Sequence, residues 1–165
     1  MNRLTKEKGF TIIEVVLVLA IAGLIFLMVF IALPALQRNQ RDTQRKNDMS
    51  RVQTAVVNFA NSNRGAIPTN FTTFTTQYLT ANGADSFVDP AGALTGQTSQ
   101  TTYNFVPLAA TGTLPTSFAT AQNIIYYTTG VVCGATSDTV KTGAGTRKIA
   151  FRMVLEGGGY HCVNN

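Results

Sequence analysis

Between Phe10 and Leu36 lie 27 residues, FTIIEVVLVLAIAGLIFLMVFIALPAL, whose only charge is Glu14. Nineteen of these positions are Phe, Ile, Leu, Val or Met. Burying each such side chain is worth about 1.5 to 3 kcal/mol, so holding the segment in water costs tens of kcal/mol as an upper bound. It belongs in lipid or against other protein. Val15 to Leu33 is uncharged throughout, and as a helix it covers roughly 28 Å, close to the ~30 Å hydrocarbon core of a bilayer. An ordinary secretory signal has an apolar core of about 7 to 15 residues followed by small residues. Ala32, Leu33, Pro34 and Ala35 follow a core about twice that length. A cut there is disfavoured, and an uncleaved signal anchor is the stronger plain alternative.

The net charge of +5 is concentrated near the N-terminus. Arg3, Lys6 and Lys8 precede the apolar run, and Arg38, Arg41, Arg45 and Lys46 follow it, so the positive-inside rule does not decide the orientation. Composition breaks the tie. Residues 66–165 hold both cysteines, twenty threonines and eleven glycines but only eight charged residues, which suits an exported, oxidising setting. The N-terminus is placed in the cytoplasm and the C-terminus outside. One histidine, two cysteines and no tryptophan supply little for catalysis. No nucleophile, base and orienting group can be assembled, and Gly157 to Gly159 read as a turn before a strand rather than a phosphate loop. The chain is read as a non-enzyme without a cofactor.

Glu14 needs a partner, because an acid at membrane depth costs a few kcal/mol. The neighbouring residues offer none unless the chain is cut before Phe10, which creates an α-amino group of pKa about 7.7 to 8.0. At about 4 Å and an effective dielectric near 20, that amine and a carboxylate attract by roughly 4 kcal/mol, offset in part by desolvation. The plain alternative is a Glu14 solvated at headgroup depth. Gly9, Phe10 and Glu14, after a short leader with Arg3, Lys6 and Lys8 and before a long apolar run, resemble the class III signal of type IV prepilins and of the related type II secretion pseudopilins. The resemblance implies that a prepilin peptidase cuts after Gly9, that Phe10 becomes the N-methylated terminus, and that Glu14 guides each subunit into register with its neighbour. It covers residues 3 to about 64.

Beyond Leu36 no proline interrupts the chain before Pro68, and Met49, Val52, Val56, Phe59 and Ala60 recur at helical spacing. The helix is expected to continue to about Asn63, where Asn61, Asn63, Gly65 and Pro68 supply stop signals. Asp42 is four residues before Lys46 and four after Arg38, spacings that suit weak helical ion pairs. Pro34 removes an amide donor and predicts a kink or local unwinding around 31–34, with Gly23 a weaker flexible point or a site of close helix packing. Arg38, Arg41 and Arg45 share a face that can track phosphates, but Asp42 and Asp48 dilute it, so nucleic-acid binding through this cluster is disfavoured.

The Thr- and Gly-rich remainder favours strands and turns. Strands are expected at 103–108, 123–133, 147–155 and 160–163, with a short helix or folded loop around Phe71 to Leu79. The fold class is α+β: a long N-terminal helix, transmembrane in its first half, packed on a small antiparallel sheet, in a shape that resembles the ladle of type IV pilins. Residues 1–9 form the leader, 10–36 the membrane and filament-core segment, 37–64 the amphipathic continuation and 66–165 the globular domain. Cys133 and Cys162, an even count in an exported domain, suggest a disulfide. Zinc at His161 and Cys162 lacks ligand spacing, so no metal is assigned; Asp85 and Asp89 offer a weak calcium loop, with turn formation the plainer role.

The resemblance implies a structural subunit of an extracellular pilus, serving adhesion, motility or DNA uptake. Its partners are copies of itself, the prepilin peptidase, the pilus assembly machinery and, before assembly, the inner membrane. The alternatives are a pseudopilin of a secretion machine, and a minor pilin or membrane-anchored binding module.

Overall fold

A computed structural model describes residues 9–80, 86–92 and 102–165. The chain divides into two units, Met1–Gln37 and Arg38–Asn165. Helix α1, Ile12–Ser62, runs 51 residues and contributes to both. Up to Leu36 its side chains have no core: all nineteen large apolar residues from Phe10 to Leu36 are exposed, none by less than 44%. By length and composition it is long and apolar enough to cross a membrane. The backbone stays helical through Pro34, so the local unwinding expected at 31–34 is not found. A Cβ placed on Gly23 would meet nothing within 4 Å, so no close packing among the described residues requires this glycine.

The end of α1 is built by local chemistry. Arg64 takes φ 55° and Gly65 φ 83°, and the Gly65 amide donates to the Ala60 carbonyl at 2.7 Å. This is the six-to-one bond of a Schellman stop, with Arg64 in the left-handed position that glycine more often fills. The helix therefore stops at Ser62, one residue before the sequence-based boundary.

In the globular unit, Asn70 caps the short helix α2, Phe71–Phe74, by accepting from the Thr73 amide at 3.1 Å, and a π-helical turn follows over Thr75–Leu79. Strand β1, Asn104–Pro107, leads through a connection carrying α3, Phe118–Ala121, to β2, Ile124–Thr129. Then come β3, Val131–Cys133, β4, Val140–Thr142, β5, Ile149–Val154, and β6, Tyr160–Asn164. The main sheet has the order β1-β2-β5-β6, and β3 and β4 form a separate hairpin. The expected long strand at 123–133 is two strands joined at Gly130, whose φ of 73° turns the chain.

The sheet is antiparallel except for the β1–β2 pair, which is parallel. Parallel neighbours cannot be joined by a tight hairpin. Residues 108–123 make the crossover, and they cover one face of the sheet, where Leu114 and Ala121 pack with Tyr126 and Val154. On the other face Ile149, Phe151 and Met153 of β5 meet Met49, Val52 and Val56 of α1, together with Phe71, Phe74 and Ile125. The apolar stripe read from the sequence thus buries Met49, Val52 and Val56, while Phe59 packs at its margin.

Cys133 and Cys162 form a disulfide with Cα atoms 5.9 Å apart, tying the β3–β4 hairpin to β6. It closes a 29-residue separation, worth about 3 to 4 kcal/mol in the chain-entropy picture. Cys162→Ser is expected to lower the stability of the globular unit by about that amount, read by urea titration of the oxidised full chain in detergent. A midpoint equal to that of the disulfide-bonded chain would show that the link contributes nothing.

Candidate functional site

Gly9, Phe10 and Thr11 lie outside the helix, and Phe10 is 90% exposed. The Gly9–Phe10 bond therefore sits in backbone that no helical ladder protects, a condition for entry into a peptidase cleft. Among the described residues a Cβ on Gly9 would meet nothing within 4 Å, so their packing sets no demand for glycine there. Any demand comes from what acts on the bond.

Thr11 starts the helix. Its carbonyl accepts from the Val15 amide at 3.3 Å, and its hydroxyl lies 3.4 Å from the Glu14 amide. Glu14 answers: its Oε2 accepts from the Thr11 amide at 2.8 Å and from the Thr11 hydroxyl at 2.7 Å. Thr-x-x-Glu at a helix start is a capping box, which satisfies otherwise orphaned amides at both positions. The expectation that the neighbourhood of Glu14 offers no partner short of cleavage is thereby corrected, since Thr11 supplies two donors. The pattern is present in the sequence, but treating Glu14 as an isolated membrane acid hides it. Glu14 also occupies the first turn, where a negative charge complements the helix dipole.

This arrangement has a consequence for the cut chain. Removal of residues 1–9 would place a new cationic amine on Phe10, next to a carboxylate already held in position by Thr11. A preordered acid loses less conformational entropy on meeting an amine than a freely rotating one.

Residues 4–30 match the family described as the prokaryotic N-terminal methylation motif. The chain carries a class III pilin-type signal. That signal supports a type IV pilin-like or pseudopilin-like precursor, and the apolar helix and signal are compatible with anchorage in a membrane. The match includes Gly9, Phe10, Glu14 and Gly23 and leaves the globular unit unmatched. No curated relative and no solved structure matches the chain.

A second cluster in this pilin-like chain is not apparent from the sequence. The buried positions of α1 after residue 40 are Asp42, Arg45, Asp48, Met49, Val52, Ala55 and Val56. One helical stripe thus passes from charged to apolar residues without changing face. Arg45, wholly buried, donates from Nη2 to Asp89 at 2.8 Å, from Nε to the same carboxylate at 3.1 Å, and from Nη1 to Asp42 at 2.8 Å. Glu156 lies 3.3 Å from Nη1 and also accepts from Arg41 Nε at 2.8 Å. The Phe118 ring lies 4.4 Å from the guanidinium carbon. Burial alone would lower the Arg45 pKa, but the hydrogen bonds and charge of Asp89, with those of Asp42 and Glu156, raise it above its ordinary value.

The Asp42 carboxylate is further held by the Glu156 and Gly157 amides at 2.9 and 2.7 Å. A Cβ at residue 157 would come within 2.9 Å of Asp42 Oδ2, so the β5–β6 turn approaches the helix closely because Gly157 lacks one. Further along the helix, Asp48 accepts from the Tyr103 hydroxyl at 3.2 Å and pairs with Arg51. Burial raises the Asp48 pKa against these two contacts.

This network corrects one expectation and weighs against two alternatives that the sequence already disfavoured. Among the described residues Asp42 pairs with Arg45 rather than with Lys46 or Arg38. Arg38, Arg41 and Arg45 do not form a phosphate-tracking face, because Arg45 is buried and Arg41 is bound to Glu156. Asp89 spends both oxygens on Arg45, which removes it as a calcium ligand, and Asp85 lies outside the described residues. No group of three or more metal-ligating side chains is present among the described residues. His161 is half-buried, and burial, with the charge of Lys46, lowers its pKa.

Hydrogen bonding from Arg41, aided by Arg45 and opposed by partial burial, holds the Glu156 carboxyl below its ordinary value. A group with a depressed native pKa stabilises the fold above its unfolded value, and that stabilisation is lost as pH falls through the native one. Glu156→Gln is therefore expected to narrow its stability deficit against the unaltered chain as pH drops from 7 to below about 4. A deficit that stays constant across that range would show that the Glu156 charge plays no part.

Proposed function

We propose that this chain is a structural, non-enzymatic subunit of an extracellular type IV pilus. The peptidase cuts between Gly9 and Phe10 on the cytoplasmic side, the Phe10 amine is methylated, and the apolar helix leaves the bilayer to pack against the same segment of other copies. The observation that carries this reading is the exposure of all nineteen large apolar side chains from Phe10 to Leu36, a run that the methylation motif at residues 4–30 largely covers. A surface of that size needs lipid before assembly and protein after it, since monomeric soluble proteins rarely expose apolar patches beyond a few hundred Å2. The capped helix start supports it as well, because the Glu14 carboxylate stands ready for the Phe10 amine of its own or a neighbouring copy.

Mass spectrometry of sheared surface filaments tests the proposal. The expected N-terminal peptide begins at Phe10 and carries one added methyl group. Filaments whose subunits begin at Met1, or after Ala35, would overturn it. A processed chain that never appears in long surface fibres would move the assignment to the pseudopilins.

A further inference from the structure

Residues 66–165 hold four acids and four bases, yet folding separates the two signs. Among the described residues from Arg38 onward, Asp42, Asp48, Asp89 and Glu156 pair with Arg41, Arg45 and Arg51. Asp138 is the one exposed carboxylate among them. Arg38, Lys46, Arg64, Lys141 and Arg147 are exposed and make no ion pair among the described residues. The acids are spent on internal pairs, so the surface is left cationic.

Three of these bases meet at one end of the sheet. Thr142 of β4 is opposite Val131, and the Gly130 amide donates to the Lys148 carbonyl at 2.7 Å, so Lys141 and Arg147 stand at the two ends of one short connection. The Arg147 side chain reaches the end of α1, where a Cβ on Gly65 would lie 3.3 Å from its Cδ and Nη1. Arg64 is the next residue back. Lys148, half-buried, donates to the Asn165 main-chain oxygen at 2.8 Å and adds a fourth charge. Asp138 is at the opposite, turn end of the β3–β4 hairpin. The last carbonyls of α1 draw in Arg64 and Arg147, but they leave the Lys141 charge unanswered.

A cluster of cations without facing acids attracts a polyanion. A second copy is a poor match, since its described globular residues expose one carboxylate. Segments 61–66 and 140–148 carry no aromatic residue, so they supply no platform for stacked nucleobases. The bases come from three segments, the end of α1, β4 and the start of β5. A nucleic-acid duplex is stiff over about 150 base pairs and meets charges along one line, whereas a flexible single chain bends over all of them. Arginine forks match phosphate oxygens two at a time. We propose that this basic end of the globular unit binds linear polyphosphate through Arg64, Lys141, Arg147 and Lys148. The site does not depend on the pilus reading.

The test is titration of the full chain in nonionic detergent with long-chain polyphosphate, duplex DNA, polygalacturonate and orthophosphate. Polyphosphate is expected to bind at least tenfold more tightly per charge than the other three. Its affinity is expected to fall at least tenfold between about 50 and 200 mM salt, as bound counterions are released. Arg64→Asn with Arg147→Gln is expected to weaken it at least tenfold; asparagine tolerates the left-handed backbone at residue 64. Lys46→Gln, 18 residues and about 27 Å back along α1, is expected to leave it within twofold. Where the double variant lacks the near-ultraviolet signal of the folded unit, Lys141→Gln decides, with a severalfold loss and the fold kept. Failure of polyphosphate to bind, affinity indifferent to salt, equal or tighter binding of DNA or polygalacturonate, unchanged affinity in a folded double variant or in Lys141→Gln, or an equal loss in Lys46→Gln would each overturn the proposal.

Discussion

Arg45→Met destabilises the globular unit by about 3 to 5 kcal/mol, the effect expected when one partner of a buried ion pair is removed and the other stays charged. Methionine replaces much of the volume, so the loss is electrostatic rather than a cavity. Asp89 keeps only the Ala91 amide at 2.8 Å and a long contact from the Asn123 amide at 3.4 Å. Asp42 keeps two amides, so Asp89 carries most of the penalty. The double variant Arg45→Met with Asp89→Asn should recover part of the loss, because the orphaned charge is gone. Urea unfolding of the full chain in detergent, followed by near-ultraviolet circular dichroism, measures both variants. A deficit under about 1 kcal/mol, the size of a surface pair, would show that the cluster is solvated.

What can be read from the sequence, and what cannot, separates along the range of the interactions. The apolar run, the leader motif and the stripe from Met49 to Val56 are local patterns, so their periodicity is present in the residues themselves. The capping box is equally local, four residues from Thr11 to Glu14, and only the emphasis on membrane burial obscures it. Arg45 is different. Its partners Asp89 and Glu156 are 44 and 111 residues away, and nothing in a window around Arg45 marks it off from a solvated base. The rule that charges sit on helix surfaces fails here because two remote segments deliver carboxylates to one point beside Asp42. The parallel β1–β2 pair is likewise hidden: the strand residues of both are legible, but strand direction is set by a crossover of 16 residues with weak helical signals.

Gly9→Leu leaves the precursor uncut and still bearing its leader, with mature filament protein reduced at least tenfold in sheared fractions. Among the described residues Gly9 makes no contact that a side chain would disturb, so the variant folds normally, keeps its helix and keeps its disulfide. The loss then reports on the enzyme that must bring the Gly9–Phe10 bond into its cleft, where a branched side chain blocks close backbone approach. Efficient cutting of Gly9→Leu would remove the signal from this position. Glu14→Ala separates processing from assembly. The helix start loses its capping box, which costs about 0.5 to 2 kcal/mol locally and frays the first turn. The Gly9–Phe10 bond is already outside the helix, so cutting proceeds. What fails is the next step: the Phe10 amine finds no acid, and the subunit stays in the membrane as a cleaved monomer. Glu14→Gln sharpens the distinction, because a glutamine can keep the cap through its amide oxygen while lacking the charge. If charge matters, Glu14→Gln assembles as poorly as Glu14→Ala; if capping alone matters, it assembles like the unaltered chain.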